Sequence, residues 1–201
     1  MNERRIKLLF GGSEATEWIG TLSRHCEYFI LTKGQLSLID IILEVSKQIE
    51  PFDLALTTWT IGETEIRKLH NLKVEGQIKD IKMVIDRSFQ TRCPGPFGVL
   101  MECFGYAPIR VLENHSKVIL IKNKAWNIVI RTSMNMNRNA RVEQIDLSDD
   151  EKLLTPLLGL FDEVFEEQPE GDGFKGKLYH GAELRRFGSS LGRPVRTTLV
   201  N

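Results

Sequence analysis

The sequence predicts an α/β fold: a mixed, largely parallel sheet flanked by helices on both faces. Three observations carry this. Helix-like and strand-like patterns alternate between Leu36 and Ile85, and such alternation favours right-handed crossovers between parallel strands. Runs of strand formers then follow closely at 109–112, 118–121 and 126–131. After them Leu153, Leu154, Leu157, Leu160 and Phe161 give one apolar face to a helix over 153–165.

Each element has its own warrant. Leu36, Leu38, Ile39, Ile42, Leu43, Val45 and Ile49 recur at helical spacing, so residues 36–48 read as an amphipathic helix. Ser37 with Asp40 three residues on resembles a capping start, and Pro51 ends the helix. Residues 52–59 are rich in strand formers, 62–72 are helical and 78–85 are extended again. Pro94, Gly95 and Pro96 make 91–96 a loop of the kind that lies near sites, and Gly105 closes a short helix over 97–104. Residues 122–124 are the hairpin turn between the strands at 118–121 and 126–131, and 142–147 is a fourth strand candidate. Ser148 and Glu151 form a capping box for the helix that follows. From Gln168 to Gly176 the composition turns to Pro, Gly and charge, which reads as a linker. The domains expected are an N-terminal segment at 1–31, a catalytic domain at 32–167, and a linker with a basic tail at 168–201.

Composition limits the function classes. A chain of 201 residues, 41% hydrophobic and 27% charged, is a single globular domain with a tail, and neither a collagen-like nor a wholly disordered protein. No apolar run approaches the roughly 18 residues that span a bilayer, and the first residues lack the pattern of a secretory signal, so a cytoplasmic protein without membrane association is expected. Cys26, Cys93 and Cys103 have no CxxC spacing, which argues against a disulfide framework or a thiolate zinc site. Lys plus Arg and Asp plus Glu both number 27, so net charge does not point to a polyanionic partner. The distribution is uneven: 146–172 is acidic, and Lys175, Lys177, Arg185, Arg186, Arg193 and Arg196 make the tail basic.

The chemistry concentrates between Asn114 and Asn139. His115 and Lys117, two apart at the mouth of a strand, point to one side, with Asn114 and Ser116 on the other. After the hairpin, Ser133 and Asn135 share a face. An imidazole, an ammonium, a hydroxyl and a carboxamide brought together suit a phosphate: Lys117 as a point charge, Ser133 and Asn135 as hydrogen-bond donors, and His115 as nucleophile or proton carrier. No second histidine or carboxylate stands at ligand spacing from His115, and Lys117 would repel a cation, so no metal and no cofactor are expected.

The order H-x-K, strand, turn, strand, S-x-N resembles the phospholipase D superfamily, whose motif reads H-x-K-x4-D-x6-G-S-x-N. His115, Lys117, Ser133 and Asn135 match its His, Lys, Ser and Asn. Lys122 stands where the family has Asp and Thr132 where it has Gly; the gap to Ser133 is three residues longer, which an enlarged turn around 123–126 accommodates. The resemblance covers about 32–165 and implies a phospholipase D-like domain in which Glu143 orients the imidazole.

A single H-x-K implies a homodimer that completes its active site from two subunits. It implies a phosphohistidine route without metal, with nucleic acid as substrate and partner. Trp59, Arg87 and Arg131 are the candidate substrate-binding residues near the strand ends. The alternative is a catalytically silent member, a nucleic-acid-binding or partner-binding module of a mobile genetic element. Action on phospholipids ranks third and would need an apolar patch around the cleft.

Overall fold

The structure, a computed structural model, describes residues 3–8, 19–34, 36–138 and 140–174. Its strands are β1 (Glu3–Leu8), β2 (Cys26–Thr32), β3 (Phe52–Thr58), β4 (Ile78–Asp86), β5 (Ile109–Leu112), β6 (Val118–Lys122), β7 (Asn127–Thr132) and β8 (Glu143–Asp149). The helices are α1 (Leu38–Ser46), α2 (Glu63–Val74), α3 (Phe89–Arg92), α4 (Pro94–Phe104) and α5 (Glu151–Glu167). The strands form one sheet in the order β1-β2-β8-β7-β6-β3-β4-β5.

The α/β class holds, but the sheet is not largely parallel. Four of its seven pairings, β2 with β8, β8 with β7, β7 with β6 and β6 with β3, are antiparallel. Parallel pairing needs a crossover long enough to return the chain to the same end of the sheet. Helical crossovers lie only in the first half, so β3, β4 and β5 pair in parallel, whereas short links from β6 onward reverse the direction.

Both faces are covered, and β6 and β7 are therefore buried runs of Ile, Leu and Val rather than alternating strands. On one face Leu54, Leu56, Met83, Ile119, Ile121, Ile128 and Ile130 share a core with Ile39 and Ile42 of α1, Ile66 and Leu69 of α2, and Leu100 of α4. On the other, Ala55, Val84, Leu120 and Val129 meet Leu154, Phe161 and Val164 of α5.

Several local expectations change. The segment set apart as 1–31 contributes β1 and β2 to the same sheet. The loop at 91–96 is two helices meeting at Cys93, with Pro94 in the first turn of α4, where its missing N–H costs nothing. Ser148 belongs to β8, and the cap of α5 is Asp150, whose carboxylate accepts from Leu153 N at 3.1 Å. Gln168 is no linker residue: it is 2% exposed, and its carboxamide accepts from Val111 N at 2.8 Å and donates to Val111 O at 2.9 Å. Phe174 continues this return, packing on Phe97 and Tyr106. Most of the basic tail, from Lys175 on, lies outside the described residues. Among those described, no helix is long and apolar enough to cross a membrane.

Candidate active site

The end of β3 and the entry to β6 lie side by side, so Trp59 and the H-x-K segment meet. Asp86, closing β4, accepts the Asn114 N–H at 3.0 Å, and the Asn114 carboxamide donates to Thr58 O at 3.3 Å. Ser116 donates to Asn114 Oδ1 at 2.6 Å and its Oγ lies 2.8 Å from Thr57 Oγ1. Asn114 and Ser116 are thereby engaged on the α5 side of the sheet. His115 and Lys117 turn the other way, as alternation requires.

Lys117 is 7% exposed. Its Nζ lies 3.1 Å from His115 Nδ1 and donates to His115 O at 2.6 Å. Burial pushes the Lys117 pKa below the ordinary lysine value, while the charges of Glu143 and Asp86 oppose that shift. His115 itself is exposed, its ring 5.8 Å from that of Trp59 at an interplanar angle of 52°.

The chain leaving β7 closes over this end of the sheet. Thr132 N donates to Lys117 O at 3.2 Å, the last rung between the strands. Ser133 then donates its hydroxyl to Glu143 Oε2 and accepts from Gln144 N at 3.1 Å. Beyond it Met136 N donates to Thr60 O at 3.1 Å and Gly62 N to Met136 O at 2.8 Å, so the segment crosses from β7 to the end of β3. Met134 and Met136 are buried, and between them Asn135 carries a buried Oδ1 with no hydrogen-bond partner. A buried amide oxygen without a partner is costly, and Asn137 Oδ1, two residues on, is in the same state. The longer H-x-K to S-x-N gap is a turn in which Asn123 Oδ1 accepts from Ala125 N at 2.9 Å and Trp126 N at 2.8 Å.

The sequence candidates thus separate. His115, Lys117 and Trp59 stand together. Ser133 donates to Glu143, whose charge also reaches Lys117, and it is Lys117 that lies at His115 Nδ1. Arg87 is held in an ion pair with Glu113 at 2.6 Å. Arg131 shares the α5 face with Val129, opposite Lys117, and its guanidinium lies 4.0 Å from Glu27. Arg92 was missed: its guanidinium lies 4.0 Å from the centroid of the Trp59 ring. The Pro and Gly around it give the segment a loop pattern in which one arginine carries no signal of its own. An apolar groove of about 330 Å³, lined by Leu112, Val118, Leu157 and Phe161, lies on the α5 side, away from His115.

No family model matches the chain. No curated protein matches it in sequence. Among solved structures, a polyphosphate kinase from Porphyromonas gingivalis superposes with a TM-score of 0.53 at 14% identity, over 73% of this chain and 27% of the kinase. Nuc from Salmonella typhimurium, a phospholipase D family member, gives a TM-score of 0.49 at 18% identity over 65% and 88% of the two chains. NucT from Helicobacter pylori gives 0.49 at 18% over 70% and 96%. This chain spans little more than a quarter of the kinase's length. The chain shares its α/β fold in outline with the kinase, and at 14% identity that likeness is one of fold alone.

Proposed function

We propose that this chain is a phosphodiesterase of the cytosol that cleaves nucleic acid without a metal ion, through His115, at an active site completed by a second copy of the chain. The observation that carries the reading is the exposed imidazole of His115, set against the Trp59 ring and held from beneath by the buried ammonium of Lys117. The motif His115, Lys117, Ser133 and Asn135 supports it.

In this reading His115 Nε2 forms a bond to phosphorus while the bond from phosphorus to the leaving oxygen breaks. His115 of the partner subunit gives that oxygen its proton. Water then adds to phosphorus, the phosphorus–nitrogen bond breaks, and the partner's imidazole recovers its proton from the attacking water. Lys117 and the Asn135 carboxamide hold the non-bridging oxygens, stabilising charge where it develops. Ser133 and Glu143 keep the crossing segment in position.

One observation favours the silent nucleic-acid-binding module instead: the Ser133 hydroxyl is already taken up by Glu143 and Gln144. The two readings part on turnover of single-stranded DNA, duplex DNA, RNA and bis(4-nitrophenyl) phosphate in EDTA. An enzyme turns over at least one, and His115→Ala abolishes it. A binding module turns over none, and His115→Ala leaves its affinity intact.

A further inference from the structure

Arg92 is exposed, and among the described residues no carboxylate pairs with it, whereas Arg87 is paired with Glu113 and Arg24 with Asp149. Its guanidinium instead lies over the Trp59 ring at 4.0 Å, and that ring borders His115 at 5.8 Å. Stacking on an aromatic face fixes the guanidinium while leaving its N–H donors in their own plane, free for an anion.

Its position relative to His115 is also fixed. One Asp86 oxygen accepts from Ser88 N at 2.9 Å, at the start of the helix that ends in Arg92. The other accepts from Asn114 N, next to His115, at 3.0 Å. Thr60 Oγ1 lies 3.7 Å from Cys93 Sγ, joining the residues that follow Trp59 and Arg92. A free, oriented cation is thus tied through a single carboxylate to the residue before the imidazole.

We propose that Arg92 holds the phosphate adjacent to the scissile one, so that the site takes a nucleic-acid strand with consecutive charged linkages rather than an isolated diester. The proposal rests on the reading of His115 as acting on phosphodiesters. Arg92 is on this account a specificity residue, outside the bond-breaking machinery.

The test is equilibrium binding, in the His115→Ala background so that no cleavage intervenes. Two thymidine tetranucleotides serve as probes: one fully charged, the other with uncharged methylphosphonates on either side of the central linkage. Arg92→Gln should weaken the charged strand about tenfold or more, the scale of a lost charge-assisted hydrogen bond. It should also reduce the slope of log affinity against log salt by about 0.7, one phosphate contact on a single strand. The methylphosphonate strand should lose far less. Arg92→Lys, which keeps the charge but not the planar fork of donors, should fall between.

Equal losses on both probes, or none on either, overturn the proposal, as does failure of the charged strand to bind with Arg92 present. Selective loss in a protein that never turns over substrate would overturn cleavage and retain Arg92 as a phosphate contact. The two readings therefore fail separately.

Discussion

Nζ of Lys117 lies 3.1 Å from Nδ1 of His115, and this one contact has two proton arrangements. An ammonium donating to a bare Nδ1 leaves the imidazole proton on Nε2, from which it passes to a leaving oxygen as Nδ1 takes a proton from Lys117. A neutral amine accepting from Nδ1–H bares Nε2, the form that attacks phosphorus. The proposed two-fold site would need one histidine of each kind, and the same pair would supply both.

The pH profile should carry this signature. Burial lowers the Lys117 pKa, with Glu143 and Asp86 resisting, so its proton is lost below the ordinary lysine range. The alkaline fall in kcat should begin at correspondingly lower pH, and Lys117→Arg, which stays charged and cannot accept from Nδ1–H, should turn over far more slowly at every pH. Between the lowered folded value and the unfolded one the unfolded chain binds more protons, so stability should rise with pH across that window. Urea midpoints should show the rise in the wild type and not in Lys117→Met.

Trp59 joins His115 to Arg92, and its replacement should disturb both. Trp59→Leu should lower kcat/KM while costing only about 0.5–1 kcal/mol of stability, the scale of a half-exposed cation–π contact. Trp59→Phe should recover part of the loss. Equal kcat/KM for wild type and Trp59→Leu, from initial rates on a short oligonucleotide, would remove Trp59 from the site.

Asp40 should make the fold acid-sensitive. Burial alone would raise its pKa, but hydrogen bonds from the Ser37 N–H, Lys68 and the Ser37 hydroxyl hold it below the ordinary value. A lowered carboxylate pKa contributes stability above its unfolded value that is lost as pH falls through the folded one. Asp40→Asn should cost about 0.5–2 kcal/mol at neutral pH and progressively less on acidification, as read from thermal melts.

Gln168 acts as a one-residue strand partner on β5, the last strand of the sheet. Gln168→Leu leaves the Val111 N–H and C=O without these bonds, each costly when buried, and should destabilise by about 2–4 kcal/mol in urea unfolding. Gln168→Glu keeps the acceptor and loses the donor, and should fall between.

Much of the fold was legible because its signals are local. The helical spacing through Leu38, Ile42 and Val45, the cap at Ser37 and Asp40, and the strand at 52–58 all appear where period and capping chemistry put them. Pairings between residues far apart leave no such trace. β2 lies in the stretch expected as an N-terminal segment, yet Tyr28 pairs with Leu147 of β8 inside the sheet. Gln168 looks solvated among Pro, Gly and charge, because its partner Val111 is distant in sequence. At the site, alternation predicted that Lys117 would share a side with His115. It could not show that Lys117 would lie at His115 Nδ1, nor that Arg92 would lie across Trp59.

The claim that His115 becomes bonded to phosphorus is tested most directly by trapping that bond. Wild-type protein mixed with bis(4-nitrophenyl) phosphate in EDTA, quenched in alkali within the first turnover and peptide-mapped by mass spectrometry, should carry a 4-nitrophenylphosphoryl group on His115, absent from His115→Ala. Turnover with no adduct on His115, or with the adduct on another residue, would contradict the account.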